Sequence, residues 1–387
     1  MPLRLGPLEA PLDPDLPGPH SAQLLSLVTR PCLVLHRASA IYTARTCLLL
    51  LFDLGWEARL RQGVTLDELC VAAPTQVRKP FAWMLPFLAS EGLLSCSGDR
   101  YLLTGEPELA LLSIRVAVEE EAPGHSANFN LLDGVRARIP PFFTQGKAGE
   151  DLLFGLTVFP LWLAYFRNEN LCYLPNNLVA LLALQDGLSP GSRVLELGGG
   201  AGSFAQLVAK QGGLEGWLPK VADYQFTDVA PAFLRRAQRE LKALTPGLPL
   251  SIQGLDLNRP LGDQGIEPAS LDVIVGVNVL HVAQNLEASL RELRRALKAD
   301  GRLIIGECVK GDLATPLYLE FLFTFLRSFT DVDLDPVWRP QHGFLDPESW
   351  ERALLHAGFS RVGFIPPPRP LLDACAIFNA SGITAWA

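Results

Sequence analysis

The sequence has no apolar stretch of the roughly 20 residues that a membrane-spanning helix needs. Residues 47–52 are too few, and residues 273–286 are interrupted by Asn278 and His281. Basic residues are in deficit, with 33 Lys and Arg against 41 Asp and Glu and a formal net charge of -8. That balance argues against the positive surface with which proteins hold nucleic acid or a lipid face. The seven cysteines are scattered, odd in number and never spaced as a metal knuckle, so reduced thiols in a cytoplasmic protein are expected rather than a disulfide framework. Residues 1–20 carry prolines and the acids Glu9, Asp13 and Asp15 where a signal peptide would be basic and then apolar. They read as a flexible leader.

What is present is apolar. Hydrophobic residues make up 49% of the 387 positions and charged residues 19%, enough for a large core and one to three domains. Over residues 21–63 the apolar positions recur at helical spacing and predict two or three helices. Thr65-Leu-Asp-Glu68 has the form of a capping box, in which hydroxyl and carboxylate each take an amide that a helix start leaves unpaired. A longer helix is expected over 76–90, and 93–103 reads as two strands about the turn Ser97-Gly98-Asp99. Helix, helix and hairpin in that order suggest a winged-helix-like module over 21–108. Its would-be recognition helix has Arg78 and Lys79 at its start and then Phe81, Trp83, Met84, Leu85, Phe87 and Leu88, a face suited to packing or dimerisation and not to phosphates. Residues 109–185 read as a helical linker or lid, with a loop at 140–147 and a helix at 151–166. Tyr165, Tyr173, Asn176 and Asn177 gather just ahead of a glycine-rich strand, where they form either a lid over a site or a surface loop.

From residue 186 to 387 strands alternate with helices, the rhythm of a doubly wound α/β domain. Strands are expected at 194–197, 224–227, 251–255, 271–277 and 302–307, with helices at 203–210, 231–244 and 286–298. Residues 317–329 read as a buried helix. Asp346-Pro347 reads as an N-cap and first helical residue, starting a helix that runs to about His356. Residues 359–365 and 373–379 are expected to close the sheet as a terminal pair.

The stretch Val194-Leu-Glu-Leu-Gly-Gly-Gly-Ala-Gly-Ser-Phe204 organises this half. An alternating apolar strand delivers Glu196 and then a run of glycines, needed where a backbone takes positive φ or a ligand comes closer than a Cβ would allow. The spacing of Gly198, Gly200 and Gly202 is G-x-G-x-G, with Ser203 where a dinucleotide fingerprint wants its last small residue. A nicotinamide site is therefore disfavoured. In an open parallel sheet, ligands sit at the carboxyl ends of the strands. Those ends hold Glu196, Asp228, Asp256, Asn278 with His281, and Glu307. Asp228 is placed to accept ribose hydroxyls and Asp256 to reach an adenine amino group, so an adenosyl ligand without a pyrophosphate is expected.

This pattern resembles the class I S-adenosylmethionine-dependent methyltransferases, closely over about 190–310. Phe226-Thr-Asp-Val-Ala-Pro-Ala-Phe233 and Asn278-Val-Leu-His281, running on to Glu307, look like the C-methyltransferase domains of polyketide synthases. The resemblance implies a Rossmann-like domain with a seven-stranded, mostly parallel sheet and a terminal antiparallel strand, after a mainly helical amino-terminal module. It implies S-adenosyl-L-methionine as cofactor, held by Glu196, Gly198, Gly200, Gly202, Asp228, Asp256, Leu257 and Asn278. It also implies a catalytic dyad of His281 and Glu307, with Tyr165, Tyr173 and Asn177 over the substrate. A histidine titrating near pH 6.5 can take a proton from carbon between two carbonyls, and a carboxylate on its other nitrogen fixes the tautomer. His281 and Gln284 alone make no metal site. The implied substrate is a β-ketoacyl group, small or bound to an acyl carrier protein; Arg235, Arg236, Arg239 and Lys242 on one helix either meet that carrier or form an ordinary solvated helix face. The amino-terminal module looks instead like the dimerising module of O-methyltransferases, which would make the protein a homodimer and leaves methylation of a phenolic hydroxyl as the alternative. A cofactor-sensing winged-helix regulator is the third reading.

Overall fold

The computed structural model describes residues 20, 22–24, 29–71, 73–367 and 379–387. The leader expected over 1–20 lies, but for His20, outside the described residues. Helices Arg30–Asp53 and Glu57–Gln62 lead into β1 (Val64–Thr65), helix Leu66–Cys70, helix Arg78–Ser90 and the hairpin β2 (Leu94–Ser97) and β3 (Arg100–Leu103). The small sheet has the order β1-β3-β2. The capping box forms as its chemistry requires: Thr65 N donates to Glu68 Oε2 at 2.9 Å, and Glu68 N donates to Thr65 Oγ1 at 3.2 Å. Helix Arg78–Ser90 buries Phe81, Trp83, Met84, Leu85, Phe87 and Leu88. Its apolar face is thus used in packing. These side chains share one apolar cluster with Phe129, Trp162 and Tyr165 and with Leu319, Phe321 and Phe344 of a later inserted segment.

In the second half, β4 (Ser192–Leu197), β5 (Val221–Asp228), β6 (Leu250–Gly254), β7 (Leu271–Val277), β8 (Leu297–Cys308), β9 (Arg361–Ile365) and β10 (Ala380–Trp386) form one sheet in the order β6-β5-β4-β7-β8-β10-β9. β4 and β7 are buried along most of their length, as central strands covered by helices on both faces must be. The neighbours from β6 to β8 pair in parallel, and β10 runs antiparallel to both β8 and β9. The seven-stranded, mostly parallel sheet expected from the sequence is therefore present. The order reverses between β4 and β7, so the crevice at that switch point is where a ligand belongs. Asp346 caps helix Pro347–His356 by accepting from Ser349 N at 2.7 Å. The strand expected at 373–379 lies, but for Asn379, outside the described residues, and the antiparallel partner is β10.

Other expectations are corrected. Residues 140–147 are not all loop: Pro140–Gln145 is a helix, since two prolines in a first turn give up no hydrogen bond. The helix expected over 151–166 is split into Gly149–Leu153 and Phe159–Tyr165, with Gly155 in the break and Pro160 in the first turn of the second piece. The helix expected over 231–244 contains a π turn at Ala237–Leu241. Residues 317–329 form only a 3₁₀ turn, Tyr318–Glu320, and the start of a short helix, Arg327–Thr330. The reason is Glu320. Its buried carboxylate accepts from Leu317 N at 2.9 Å, Trp83 Nε1 at 2.9 Å and Phe344 N at 3.4 Å, and pairs with buried Lys310 Nζ at 3.3 Å. Donors from separate parts of the chain converge on one side chain, and a regular helix cannot bring them there.

Removing one member of a buried ion pair leaves the other charge without compensation. Glu320→Ala is therefore expected to lower stability by about 3–5 kcal/mol, read from the midpoint of a denaturant titration. A loss under about 1 kcal/mol would show that the pair does not anchor the segment.

Candidate active site

The glycine turn after β4 separates two uses of glycine. Gly198 has φ +56 and a Cβ there would come within 2.4 Å of Val279 Cγ2; Gly202 has φ +74 and a Cβ would meet Leu241 Cδ1 at 2.6 Å. Those two are small so that the turn can pack. Gly200 has φ +52, yet a Cβ would find no atom nearer than 3.8 Å. It faces open space, a cavity of about 180 Å³ lined also by Glu196, Gly198, Asp228, Asn278, Tyr173 and Asn177. Asp228 braces the turn: Gly200 N donates to Oδ2 at 2.8 Å and Ala230 N to Oδ1 at 2.7 Å. Its oxygens keep lone pairs for a ligand hydroxyl, and burial raises its pKa. Arg236, expected on a docking face, instead donates from Nη1 to Ala201 O of the same turn at 2.7 Å.

Glu196 is buried, accepts from Tyr224 Oη at 2.9 Å and has its pKa pushed up to about 8 by burial. Asn177 Nδ2 donates to Asn168 Oδ1 at 2.7 Å, while its own buried Oδ1 has no partner among the described residues. A cavity with an orphaned acceptor, two carboxyl groups and a glycine that makes room fits a ligand rich in donors, as an adenosyl ribose and a methionyl ammonium are. Asp256 and Leu257 are not on that lining. The chain turns away after β6: Asp256 Oδ1 accepts from Asn258 N at 2.9 Å, and Leu257 O accepts from Ser289 Oγ at 2.8 Å. Phe166, Phe204, Val229 and Phe233 line the cavity instead; the last three lie within the sequence motifs but are not among the expected site residues.

A second, mostly apolar cavity of about 160 Å³ adjoins the first and shares Phe166, Tyr173 and Asn278 with it. β7 and β8 pair with Val277 opposite Gly306, so the residues just beyond them meet. Asn278 takes φ +50, tolerable for asparagine, and staples the strand ends: its N donates to Gly306 O at 2.7 Å and its Oδ1 accepts from Cys308 N at 3.1 Å. The 3₁₀ turn Leu280–Val282 then presents His281. His281 Nδ1 lies 2.8 Å from Glu307 Oε2, with 5% and 0% of the side chains exposed. Phe344 and Phe329 pack edge-on to the imidazole, at 4.8 and 5.6 Å between ring centres. With Nδ1 engaged, Nε2 is the nitrogen left for the cavity, which His281 lines.

The lid residues are inside this arrangement and not on a surface loop. Tyr165 and Tyr173 line the second cavity, and burial raises both phenol pKa values, so both remain O–H donors. Asn168 Nδ2 donates to Ser203 O at 2.8 Å, and Ser203 Oγ donates to Phe166 O. Arg339 had no sequence signal. It is fully buried and donates to His281 O at 2.8 Å and Ala283 O at 2.6 Å, with a pKa pushed down to about 10 by burial.

Comparison with known proteins falls on the same region. Residues 195–303 match a family described as a methyltransferase domain, a span that includes His281 and stops short of Glu307. A highly reducing polyketide synthase of Pyrenophora dematioidea is 34% identical over 303 residues, which cover 78% of this chain and 11% of that protein. Among solved structures, DszA carbon methyltransferase has a TM-score of 0.74 at 22% identity, covering 100% of this chain and 97% of its own. CurJ carbon methyltransferase has a TM-score of 0.73 at 21% identity, with 97% and 99% covered. The chain spans between 4% and 11% of the length of the curated polyketide synthases it matches.

Glu196 supplies a test of the first cavity. Its carboxyl holds a proton in the folded protein up to about pH 8, whereas its ordinary value is 4.5. Between those values the folded state binds the extra proton, so stability falls as pH rises. Glu196→Gln is expected to flatten that fall in denaturant titrations between pH 5 and 8; an unchanged slope would refute the buried-carboxyl assignment.

Proposed function

Because the chain carries an S-adenosylmethionine-dependent methyltransferase domain of the kind found in polyketide synthases, we propose that it methylates carbon, at the activated position of a β-ketoacyl thioester. The observation that carries this reading is the buried His281–Glu307 contact at 2.8 Å, set in an apolar cavity that shares a wall with the glycine-lined one. Glu196, Gly198, Gly200, Asp228, Asn177 and Asn278 would hold S-adenosylmethionine, which when bound would supply an electrophilic methyl on a sulfonium whose sulfur departs as a neutral thioether.

The chain's own residues prepare the acceptor. His281 Nε2 takes the proton from the carbon between the two carbonyls, and the C–H electron pair passes into the enolate. Glu307 holds the imidazole in the tautomer with Nδ1 protonated and stabilises the imidazolium that forms. The protonated hydroxyls of Tyr165 and Tyr173 supply hydrogen bonds to developing oxyanions in a dry site, where such donors count most. The enolate carbon then forms its new bond to the methyl. Arg339 acts through others by holding the His281 turn, and Asn278, besides lining both cavities, keeps the two strand ends in register. The acyl group arrives on a small thiol or on a carrier protein; in the second case the exposed Arg235 and Lys242 would meet an acidic partner, Arg239 being already paired with Glu240 at 3.7 Å.

His281→Ala is expected to lower kcat by a factor of about 10²–10⁴, the usual contribution of a general base, with the dissociation constant for S-adenosylmethionine changed less than about threefold. Turnover within a factor of a few of the parent would remove His281 as the base. A mass-shift assay supplies the second test: one methyl in place of one hydrogen on 3-oxobutanoyl thioester, located on carbon by fragmentation. Transfer to oxygen of a phenol, with the thioester untouched, would overturn carbon methylation.

A further inference from the structure

The segment that Glu320 anchors supplies part of the wall of the second cavity: Leu319, Phe323 and Leu326 line it, together with the exposed residue Ser328. Its volume is about 160 Å³. An apolar cavity of about 150 Å³ holds one benzene, six carbon atoms. A 3-oxobutanoyl group has four carbons and two oxygens, so it fills the available space with the reactive carbon beside His281.

The wall is not of a kind that yields to a longer chain. Leu319 lies in the 3₁₀ turn that ends at Glu320, and its neighbour's carboxylate is tied to Lys310, Trp83, Leu317 and Phe344. Phe323 is wedged between Trp162 and Phe329, both at 5.7 Å between ring centres. Moving either side chain means disturbing a buried charge pair or an aromatic cluster that continues into the amino-terminal core. A rigid wall converts a volume into a length limit.

Resting on the carbon-methylation reading above, we infer that this protein acts on short β-ketoacyl groups, of about four carbons, and that Leu319 and Phe323 set the limit. The site then belongs to a class of reactions early in chain growth: it consumes the product of a condensation that has joined two two-carbon units. Longer acyl groups are excluded by the inserted segment and not by the chemistry at His281.

The test uses the whole chain and N-acetylcysteamine thioesters carrying 3-oxobutanoyl, 3-oxooctanoyl and 3-oxododecanoyl groups. kcat/KM is expected to fall at least tenfold from four carbons to eight, and further at twelve. Phe323→Ala is expected to raise the ratio of the eight-carbon to the four-carbon value at least tenfold, and Phe323→Leu to raise it less. Equal kcat/KM for all three lengths, or a ratio unmoved in both variants that still unfold cooperatively, would overturn the limit. Dissociation constants of the same thioesters, measured by calorimetry, separate the two claims. Binding that ranks by length without any methyl transfer would sink the carbon-methylation reading and uphold the limit. Binding that ignores length would overturn the limit whatever the turnover.

Discussion

A carboxylate with none of its surface exposed, Glu307, sits at the end of a central strand and must be compensated where it stands. Its compensation is His281, through both the ring Nδ1 at 2.8 Å and the backbone N at 3.4 Å. That single requirement fixes much else. It needs β7 and β8 side by side, an asparagine in left-handed conformation to turn the chain immediately after β7, and a buried arginine to hold the carbonyl of His281. The charge chemistry of the site and the topology of the sheet are therefore one constraint seen at two scales.

The two halves of the molecule meet over this point. The helices ahead of β4 and the segment inserted after β8 share an apolar cluster, and Glu320 ties that segment to Trp83 in the first half and to Lys310 in the second. A buried ion pair is an expensive way to hold two pieces together, because desolvation takes back much of the attraction. It does, however, permit few geometries. That selectivity fixes one position for the wall that the segment gives to the second cavity.

The legibility of these parts in the sequence follows their periodicity. β4, β7 and the glycine turn were readable because a buried parallel strand is an apolar run and a tight ligand turn demands glycine. His281 and Glu307 were readable from their place at strand ends, given the resemblance to a family whose dyad lies there. Asp256 and Leu257 were read by the same strand-end logic, but the turn after β6 engages Asp256 with its own backbone and carries Leu257 off the lining. The inserted segment defeated helical reading since 317–329 is apolar on every side: Leu319 and Phe323 line the cavity while Phe321 and Phe325 face the core. Periodicity cannot separate those two burials. Arg339 carried no signal because an arginine satisfied by two carbonyls looks, in one dimension, like any surface arginine.

The lid and the glycine turn are joined at a seam. Ser203 opens the helix that follows the glycines, and it is bonded through its hydroxyl to Phe166 and through its carbonyl to Asn168. Phe166 and Tyr173 in turn form part of the partition between the two cavities. A displacement of that stretch would therefore reshape both cavities together, since Phe166, which Ser203 anchors, stands on the lining of each.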